Sequence, residues 1–352
     1  MTRYCLCRGK EYKMKQKKVS VLFGWSLLIL LLLFTQMVLA QDIETATIFY
    51  STEEDFIAGN DSAGGNVISD GDLLIAPGSV YMRNAELLRP FGVDFDLGLD
   101  AADVILVPDK LVVYSTELAH PKKIFTAGDL LSTTGMIIPN AALLANFKIP
   151  KDLNLGLDAV QMMGNTDAII KFIATARGIP REEWLNNPFI LIDLLKQFGI
   201  DIWFSTEGTP PFPQQPQFLD GDLLSAANGT IVLSNFNALP ASVPAGLPLR
   251  GVDFGMDAAA CYSKDDPDAA RKIYFSTEIL FQGNPAFTDG DVMVSGGGKV
   301  YDNYVLIQKF LPRADFLGLD ALSLEWNSDT VPLNPPAITS ITTQNPADSI
   351  LE

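Results

Sequence analysis

A fourfold internal repeat constrains the fold of this chain more than any local pattern does. Each copy holds an aromatic residue before Ser-Thr-Glu, then Gly-Asp-Leu-Leu or a close variant, then Gly-Leu-Asp-Ala or Gly-Met-Asp-Ala. The repeated polar residues are Ser51, Ser115, Ser205 and Ser276, then Asp72, Asp129, Asp222 and Asp291, then Asp100, Asp158, Asp257 and Asp320. A repeat of this kind predicts tandem structural units that pack against their neighbours, so its shared residues are expected to be structural.

Each copy predicts four short strands, because its apolar runs are short and separated by Gly, Pro and Asp. The third strand ends at a recurring asparagine, which is Asn84, Asn140, Asn235 or Asn303. We therefore expect an all-β, propeller-like fold of four tandem four-stranded antiparallel repeats in a domain covering 41–326. The units should cover 46–108, 111–163, 201–262 and 272–326, each forming one sheet. An open β-solenoid and two packed sheets are the alternatives.

The second repeat carries an insertion at 164–199 that has a helical pattern rather than a strand pattern. Thr166 can begin one helix, and Pro180 opens a second helical stretch. We expect a helical hairpin there and no helices elsewhere. Its apolar residues either pack on the neighbouring sheet or form a cap whose Arg181 and Trp184 contact a partner, since these residue types are frequent in binding hot spots.

Residues 1–40 have the layout of a signal peptide, with a basic start, an apolar run and small residues near Ala40. The apolar run is also long enough to be a retained membrane anchor. We expect cleavage, which predicts a secreted or cell-surface protein. Membrane contact is expected only if the segment is retained. Residues 327–352 are rich in Pro, Ser and Thr, which is typical of a linker or an extended strap.

The chain is strongly acidic. It has 25 Lys and Arg residues against 42 Asp and Glu residues, a net charge of −17. Without residues 1–40, which hold seven basic residues and one acidic residue, 18 remain against 41, a net charge of −23. Such a charge repels phosphate backbones, so nucleic acid and anionic lipid are not expected partners.

Few residues suggest enzymatic chemistry. The single histidine, His120, is expected in a solvated loop, and Cys261 is expected to be buried and inert. The one enzyme class that the residues allow is a carboxylate-dependent, glycosidase-like hydrolase. Its candidate acids are the glutamates of the four Ser-Thr-Glu elements, Glu53, Glu117, Glu207 and Glu278. Their repetition argues against catalysis, because a general acid and a general base need different environments.

Calcium is the one cofactor that the sequence suggests. Asp94, Asp96, Asp100 and Asp103 offer several oxygen ligands around one turn, as a hard cation requires. The plainer interpretation of each repeated aspartate is a turn residue satisfied by local hydrogen bonds. The sequence thus predicts an exported, non-enzymatic binding module for an unidentified protein or glycan.

Overall fold

The computed structural model describes residues 46–59, 67–211, 217–246, 251–264 and 272–326. The predicted signal segment at 1–40 and the predicted tail at 327–352 lie outside these residues. Within the described ranges, no helix is long and apolar enough to cross a membrane.

The protein is mostly β, and its strands form four-stranded antiparallel sheets. The strands are β1 Ala46–Tyr50, β2 Phe56–Ile57, β3 Val67–Ile68, β4 Leu73–Ile75, β5 Ser79–Met82, β6 Ala102–Leu106, β7 Leu111–Tyr114, β8 Leu130–Ser132, β9 Ile137–Ile138, β10 Val160–Met163, β11 Asp201–Phe204, β12 Leu223–Ser225, β13 Thr230–Leu233, β14 Ala259–Cys261, β15 Ile273–Phe275, β16 Val292–Val294, β17 Lys299–Tyr301 and β18 Leu322–Trp326. The sheet orders are β18-β1-β4-β5, β6-β7-β8-β9, β10-β11-β12-β13 and β14-β15-β16-β17, beside a small β2-β3 pair. The expected all-β character and the repeated sheets are confirmed.

Sheets and sequence repeats are offset by one strand. The strand after each Gly-Leu-Asp-Ala pairs with the next repeat, as when Ala102 of β6 lies opposite Tyr114 of β7. By the same rule, the last strand, β18, joins the first sheet, where the amide of Ser51 donates to the carbonyl of Ala321 at 3.2 Å. This corrects the expectation that each repeat forms its own sheet. A tight turn at 107–110 pairs the strands on either side of it, although they belong to different repeats.

Helices are not confined to 164–199, which is a second correction. The helices are α1 Asn84–Leu87, α2 Asn140–Leu143, α3 Thr166–Ala176, α4 Arg181–Asn186, α5 Ile190–Phe198, α6 Asn235–Ala238 and α7 Asn303–Ile307, with 3₁₀ turns at Arg89–Phe91 and Ala145–Phe147. Four of the helices begin at the recurring asparagine. The aspartate of Gly-Asp-Leu-Leu explains this start, because the Asp129 carboxylate accepts the amide of Asn140 at 3.1 Å and so satisfies a free donor of the first turn.

The inserted helices α3, α4 and α5 pack into the apolar core. Trp184 and Phe172 are fully buried in one cluster with Phe147 and Phe204, which belong to the β-repeats. Truncating an aromatic side chain in such a position typically costs about 3–5 kcal/mol of stability. The insertion is therefore part of the core of the repeat domain.

Recurring asparagines fix the Gly-Leu-Asp segments. The side-chain amide of Asn140 donates to the carbonyls of Gly128 and Gly156 at 3.4 and 2.8 Å, and its oxygen accepts the amide of Leu155 at 3.1 Å. Asn84 makes the equivalent bonds in its own repeat. Asn303 makes similar bonds, but it donates to the carbonyl of Leu317 rather than to that of the following glycine. In these three repeats the segment before the Gly-Leu-Asp aspartate is thus held at one defined position relative to its sheet.

The repeated serines connect successive sheets. The amide of Ser115 donates to the carbonyl of Ala101 at 3.0 Å, and its hydroxyl donates to the carbonyl of Leu157 at 2.7 Å. The other hydroxyls reach Leu99 from Ser51, Met256 from Ser205 and Leu319 from Ser276. The bond to Leu319 leads to β18, so this series of contacts returns to the first sheet.

Candidate functional site

Carboxylates from all four repeats meet in one cluster. Its members are the inner aspartates, Asp100, Asp158, Asp257 and Asp320, and the mouth glutamates, Glu53, Glu117, Glu207 and Glu278. Carboxylate oxygens of Asp100, Asp158 and Glu207 lie within 4.8 Å of one another, as do those of Asp158, Asp257 and Glu278. We call these eight side chains the carboxylate cluster.

The glycine of each Gly-Leu-Asp leaves the space that a mouth glutamate occupies. A Cβ atom on Gly156 would collide with the carboxyl group of Glu207, which belongs to the next repeat. Gly156 also has a φ of +76°, in the left-handed region that favours glycine. The equivalent pairs are Gly98 with Glu117, Gly255 with Glu278 and Gly318 with Glu53. The last pair joins the fourth repeat to the first.

One oxygen of each inner aspartate lacks a hydrogen-bond donor among the described residues. Asp158 is only 4% exposed, Asp100 and Asp257 are 8% exposed, and Asp320 is partly buried. In all four, Oδ2 is inaccessible and receives no hydrogen bond from the part of the chain that the structure describes. This corrects the expectation of satisfied turn residues. A buried polar atom without a partner costs about 1–3 kcal/mol, so its persistence needs a reason, such as a bound ion.

Burial, followed by the neighbouring carboxylates, raises the pKa of every inner aspartate, that of Asp320 to about 10. The same causes raise the pKa of Glu53, Glu117 and Glu278 to about 7. Asp100 faces Glu207 and Asp257 faces Glu53, and two carboxylates can form a hydrogen bond only by sharing a proton. At neutral pH the carboxylate cluster must therefore hold protons or positive ligands.

Further aspartates surround three of the mouth glutamates. They are Asp70 and Asp96 near Glu117, Asp220 near Glu278, and Asp289 near Glu53. Asp253 lies against Asp220, and its burial and this contact raise its pKa to about 8. The second repeat has Ala127 and Asn154 at the corresponding positions, where a cleft opens beside Glu207. The acidic surface is therefore interrupted at the second repeat.

No lysine or arginine of the described residues forms an ion pair with the carboxylate cluster. The ion pairs lie elsewhere, as in Lys264 with Asp103, Arg181 with Asp129 and Lys299 with Asp291. The basic side chains among the described residues therefore do not neutralise the negative charge of the carboxylate cluster.

The calcium ligands predicted from the sequence do not form one site. Asp94 is exposed, and Asp96 accepts hydrogen bonds from Ser69 and from the amide of Gly98. Asp100 belongs to the carboxylate cluster. Asp103 is fully buried and accepts bonds of 2.8–2.9 Å from Lys264, Ser323, Gln161 and the Met162 amide. Of the predicted set, only Asp100 has a buried oxygen that receives no hydrogen bond from the described residues.

The predicted partner-binding residues face the protein itself. Trp184 is fully buried and has no surface to offer a partner. Arg181 donates through Nε to Asp129 at 2.8 Å, which anchors α4 to the second repeat. The structure thus gives both residues roles within the fold.

The remaining titratable residues are also structural. His120 is buried rather than solvated, because its ring packs edge-on against Phe125 and its nitrogens bond to the Phe91 carbonyl and the Lys122 amide. Cys261 is buried as expected, and burial raises the pKa of its thiol. Neither residue contributes to the carboxylate cluster.

Sequence reasoning set the mouth glutamates aside because they are repeated. Their repetition was the signal that could have revealed the cluster. When the last repeat pairs with the first sheet, equivalent acids of the four repeats can face one another. Comparisons with protein-family models, with curated proteins and with solved structures find no match for this chain.

Proposed function

We propose that the protein is an exported, non-enzymatic domain of propeller-like architecture that binds cations through its carboxylate cluster. The observation that carries this proposal is the set of four inner aspartates whose buried Oδ2 atoms have no donor among the described residues. Oxygen atoms that are dehydrated and unpaired are stabilised most by a positive ligand.

The propeller-like arrangement is supported by the connections between sheets. Strand β18 joins the first sheet, and both the serine bonds and the glycine–glutamate pairs lead from the fourth repeat to the first. Closure that joins the first and last repeats is typical of propellers. Low-resolution electron microscopy or small-angle scattering showing an extended solenoid would contradict it.

Cation binding is tested on protein that has been stripped with a chelator and desalted. Equilibrium dialysis against Ca²⁺, Mg²⁺ and a polyamine should show saturable binding of at least one of them. The Asp158→Asn variant should lose that binding. Asp94→Asn is the matched control, because it removes the same charge from an exposed site and should bind like wild type. Failure of all three cations to bind would overturn the proposal.

A macromolecular partner outside the cell is part of the proposal, and we favour a protein. Exposed apolar residues adjoin the mouth glutamates in sequence, with Leu118 after Glu117 and Ile279 after Glu278, at 57% and 43% exposure. Apolar residues beside acids suit a protein with basic and apolar side chains better than a glycan. Cross-linking of the tagged protein at the cell surface should capture one, with a Leu118→Ser variant as control. Recovery of glycans alone would contradict this choice.

Export rests on the N-terminal sequence. Mass spectrometry of the protein from its native source should find the chain beginning at Gln41 if the signal is removed. An intact N-terminus in a membrane fraction would instead show a retained anchor.

A carboxylate-dependent hydrolase is the second candidate, favoured by the contacts of Asp100 with Glu207 and of Asp257 with Glu53. An acid with a pKa near 7, such as Glu53, can act as a general acid. The oxygens of Asp100 and Glu207 that lie within 4.8 Å of each other are, however, closer than the about 5–5.5 Å between the carboxyl groups of retaining glycosidases. Turnover in a broad hydrolase screen that disappears in Glu53→Gln would favour this candidate.

A further inference from the structure

We propose that the carboxylate cluster is a two-calcium site in which Asp158 bridges the ions. One ion would bind Asp100, Asp158 and Glu207, and the other would bind Asp158, Asp257 and Glu278. The inference rests on the proposed cation binding and names the cation, its ligands and its stoichiometry.

The spacing of the ligand atoms suits calcium. Oxygens bound to one Ca²⁺ lie about 2.3–2.6 Å from it, so two of them can be at most about 5 Å apart. The oxygens in each group of three lie within 4.8 Å of one another, which meets this limit without any change of backbone.

The donor atoms exclude softer metals. The cluster offers carboxylate oxygens, whereas zinc and copper sites usually contain histidine or cysteine. Both ring nitrogens of His120 are bonded elsewhere, and Cys261 donates its amide to Gln161 near Asp103. Magnesium demands a strict octahedron and keeps several waters, whereas Ca²⁺ accepts six to eight oxygens in irregular geometry. A crowded group of carboxylates therefore suits calcium best.

Burial provides an observation independent of acidity. Asp158 belongs to both groups, is 96% buried and has an Oδ2 that lacks a donor within the described residues. Asp100 and Asp257 have the same unpaired atom and flank Asp158 in the two groups. An acidic surface patch would leave such atoms in water, whereas here they are buried in side chains whose carboxylates group together.

Charge balance favours two ions over one. The five ligand side chains carry five negative charges when ionised, and two Ca²⁺ ions offset four of them. A single ion would leave three negative charges at close range, where repulsion is strong because burial weakens screening. The ligands also come from all four repeats, so the ions would connect the repeats to one another.

The closing experiment measures calcium stoichiometry. Isothermal titration and equilibrium dialysis with ⁴⁵Ca²⁺ on the chelator-stripped full chain should give two ions per chain. Asp158→Asn should bind none, whereas Glu207→Gln and Glu278→Gln should each bind one. The control Asp94→Asn should bind two. Circular dichroism in chelator should show that every variant is folded.

The outcomes separate this inference from the function on which it rests. Binding of one calcium ion in wild type, or equal losses in all cluster variants, would overturn the bridged pair. Binding of Mg²⁺ or a polyamine without calcium would overturn the choice of ion but leave cation binding intact. Binding of no cation at all would overturn both.

Discussion

Asp100 and Asp103 lie on the same segment of the chain, yet the protein uses their carboxylates in opposite ways. Asp103 accepts hydrogen bonds from Lys264, Gln161, Ser323 and the Met162 amide, so every part of its charge is compensated. The Oδ2 atom of Asp100 has no donor in the described part of the chain and faces other carboxylates.

The difference follows from repetition. Asp103 contacts three different side chains, those of Gln161, Lys264 and Ser323, and each of them donates a hydrogen bond to its carboxylate. The position of Asp100 meets its own copies, Asp158, Asp257 and Asp320, which carry the same charge. Repeated polar residues that face one another cannot pair among themselves without a proton or an external ligand.

The contrast between Asp100 and Asp103 would fail if the side chain of Asp103 contributed nothing to stability. Asp103→Ala leaves the partly buried Lys264 ammonium and the other donors to this fully buried carboxylate without their partner, and breaking a buried ion pair typically costs about 3–5 kcal/mol. Urea denaturation should show this loss both in calcium and in chelator. The exposed Asp94→Ala should change the free energy of unfolding by no more than about 0.5 kcal/mol. A loss seen only in calcium would assign Asp103 to the cation site.

The carboxylate cluster, unlike the compensated Asp103, is expected to destabilise the protein as pH rises in the absence of calcium. Glu53, Glu117 and Glu278 have pKa values raised from 4.5 to about 7, so the folded state binds more protons than the unfolded state between these values. Stability in chelator should therefore fall as pH rises from about 4.5 to 7. Calcium at 100 times its dissociation constant should restore about 2.7 kcal/mol for each bound ion at pH 8.

Thermal melts at pH 5, 6, 7 and 8 check this prediction, in chelator and in calcium. A Glu53→Gln, Glu117→Gln, Glu278→Gln variant serves as the control, because it should lose the share of the pH dependence in chelator that these three glutamates cause. The inner aspartates, whose pKa values are also raised, should keep their own share. A wild-type melting temperature that rises with pH in chelator would show that the raised pKa values are wrong.

The recurring asparagines offer a second comparison, between Asn140 and Asn235. Asn140 donates to two carbonyls, whereas the side-chain nitrogen of Asn235 finds no hydrogen-bond partner among the residues that the structure describes. Asn140→Ala should therefore cost about 0.5–1.5 kcal/mol more than Asn235→Ala, the net worth of a typical hydrogen bond. Urea denaturation of the two variants in parallel measures this difference in the free energy of unfolding. Equal losses of stability would mean that the hydrogen bonds of the Asn140 amide contribute nothing net.

The smallest effect is expected at Arg181. Its ion pair with Asp129 is partly exposed to solvent, and such pairs contribute about 0–1 kcal/mol. Arg181→Gln should lower the melting temperature by no more than a few degrees and leave partner capture unchanged. Loss of capture with an unchanged melting temperature would restore the partner-binding role predicted from the sequence.

The sequence predicted the strands well because the repeats show the same turns four times. It did not predict the one-strand offset, since Gly-Leu-Asp-Ala reads as the end of a repeat although its strand pairs with Tyr114 of the next. The short helices at residues such as Asn140 were missed because a single turn leaves no periodic pattern. The cluster was missed because the contact of Gly156 with Glu207 depends on how repeats face one another.

The place of β18 in the first sheet also sets the order of events during synthesis. Strand β1 cannot meet β18 until the ribosome has passed residue 326, so the first sheet lacks an edge partner while the rest of the chain is made. Contacts between such distant segments slow folding, and an unpaired strand edge invites association with other chains. A chain that completes its first sheet last therefore stays incompletely folded until nearly all of the repeat domain has been synthesised.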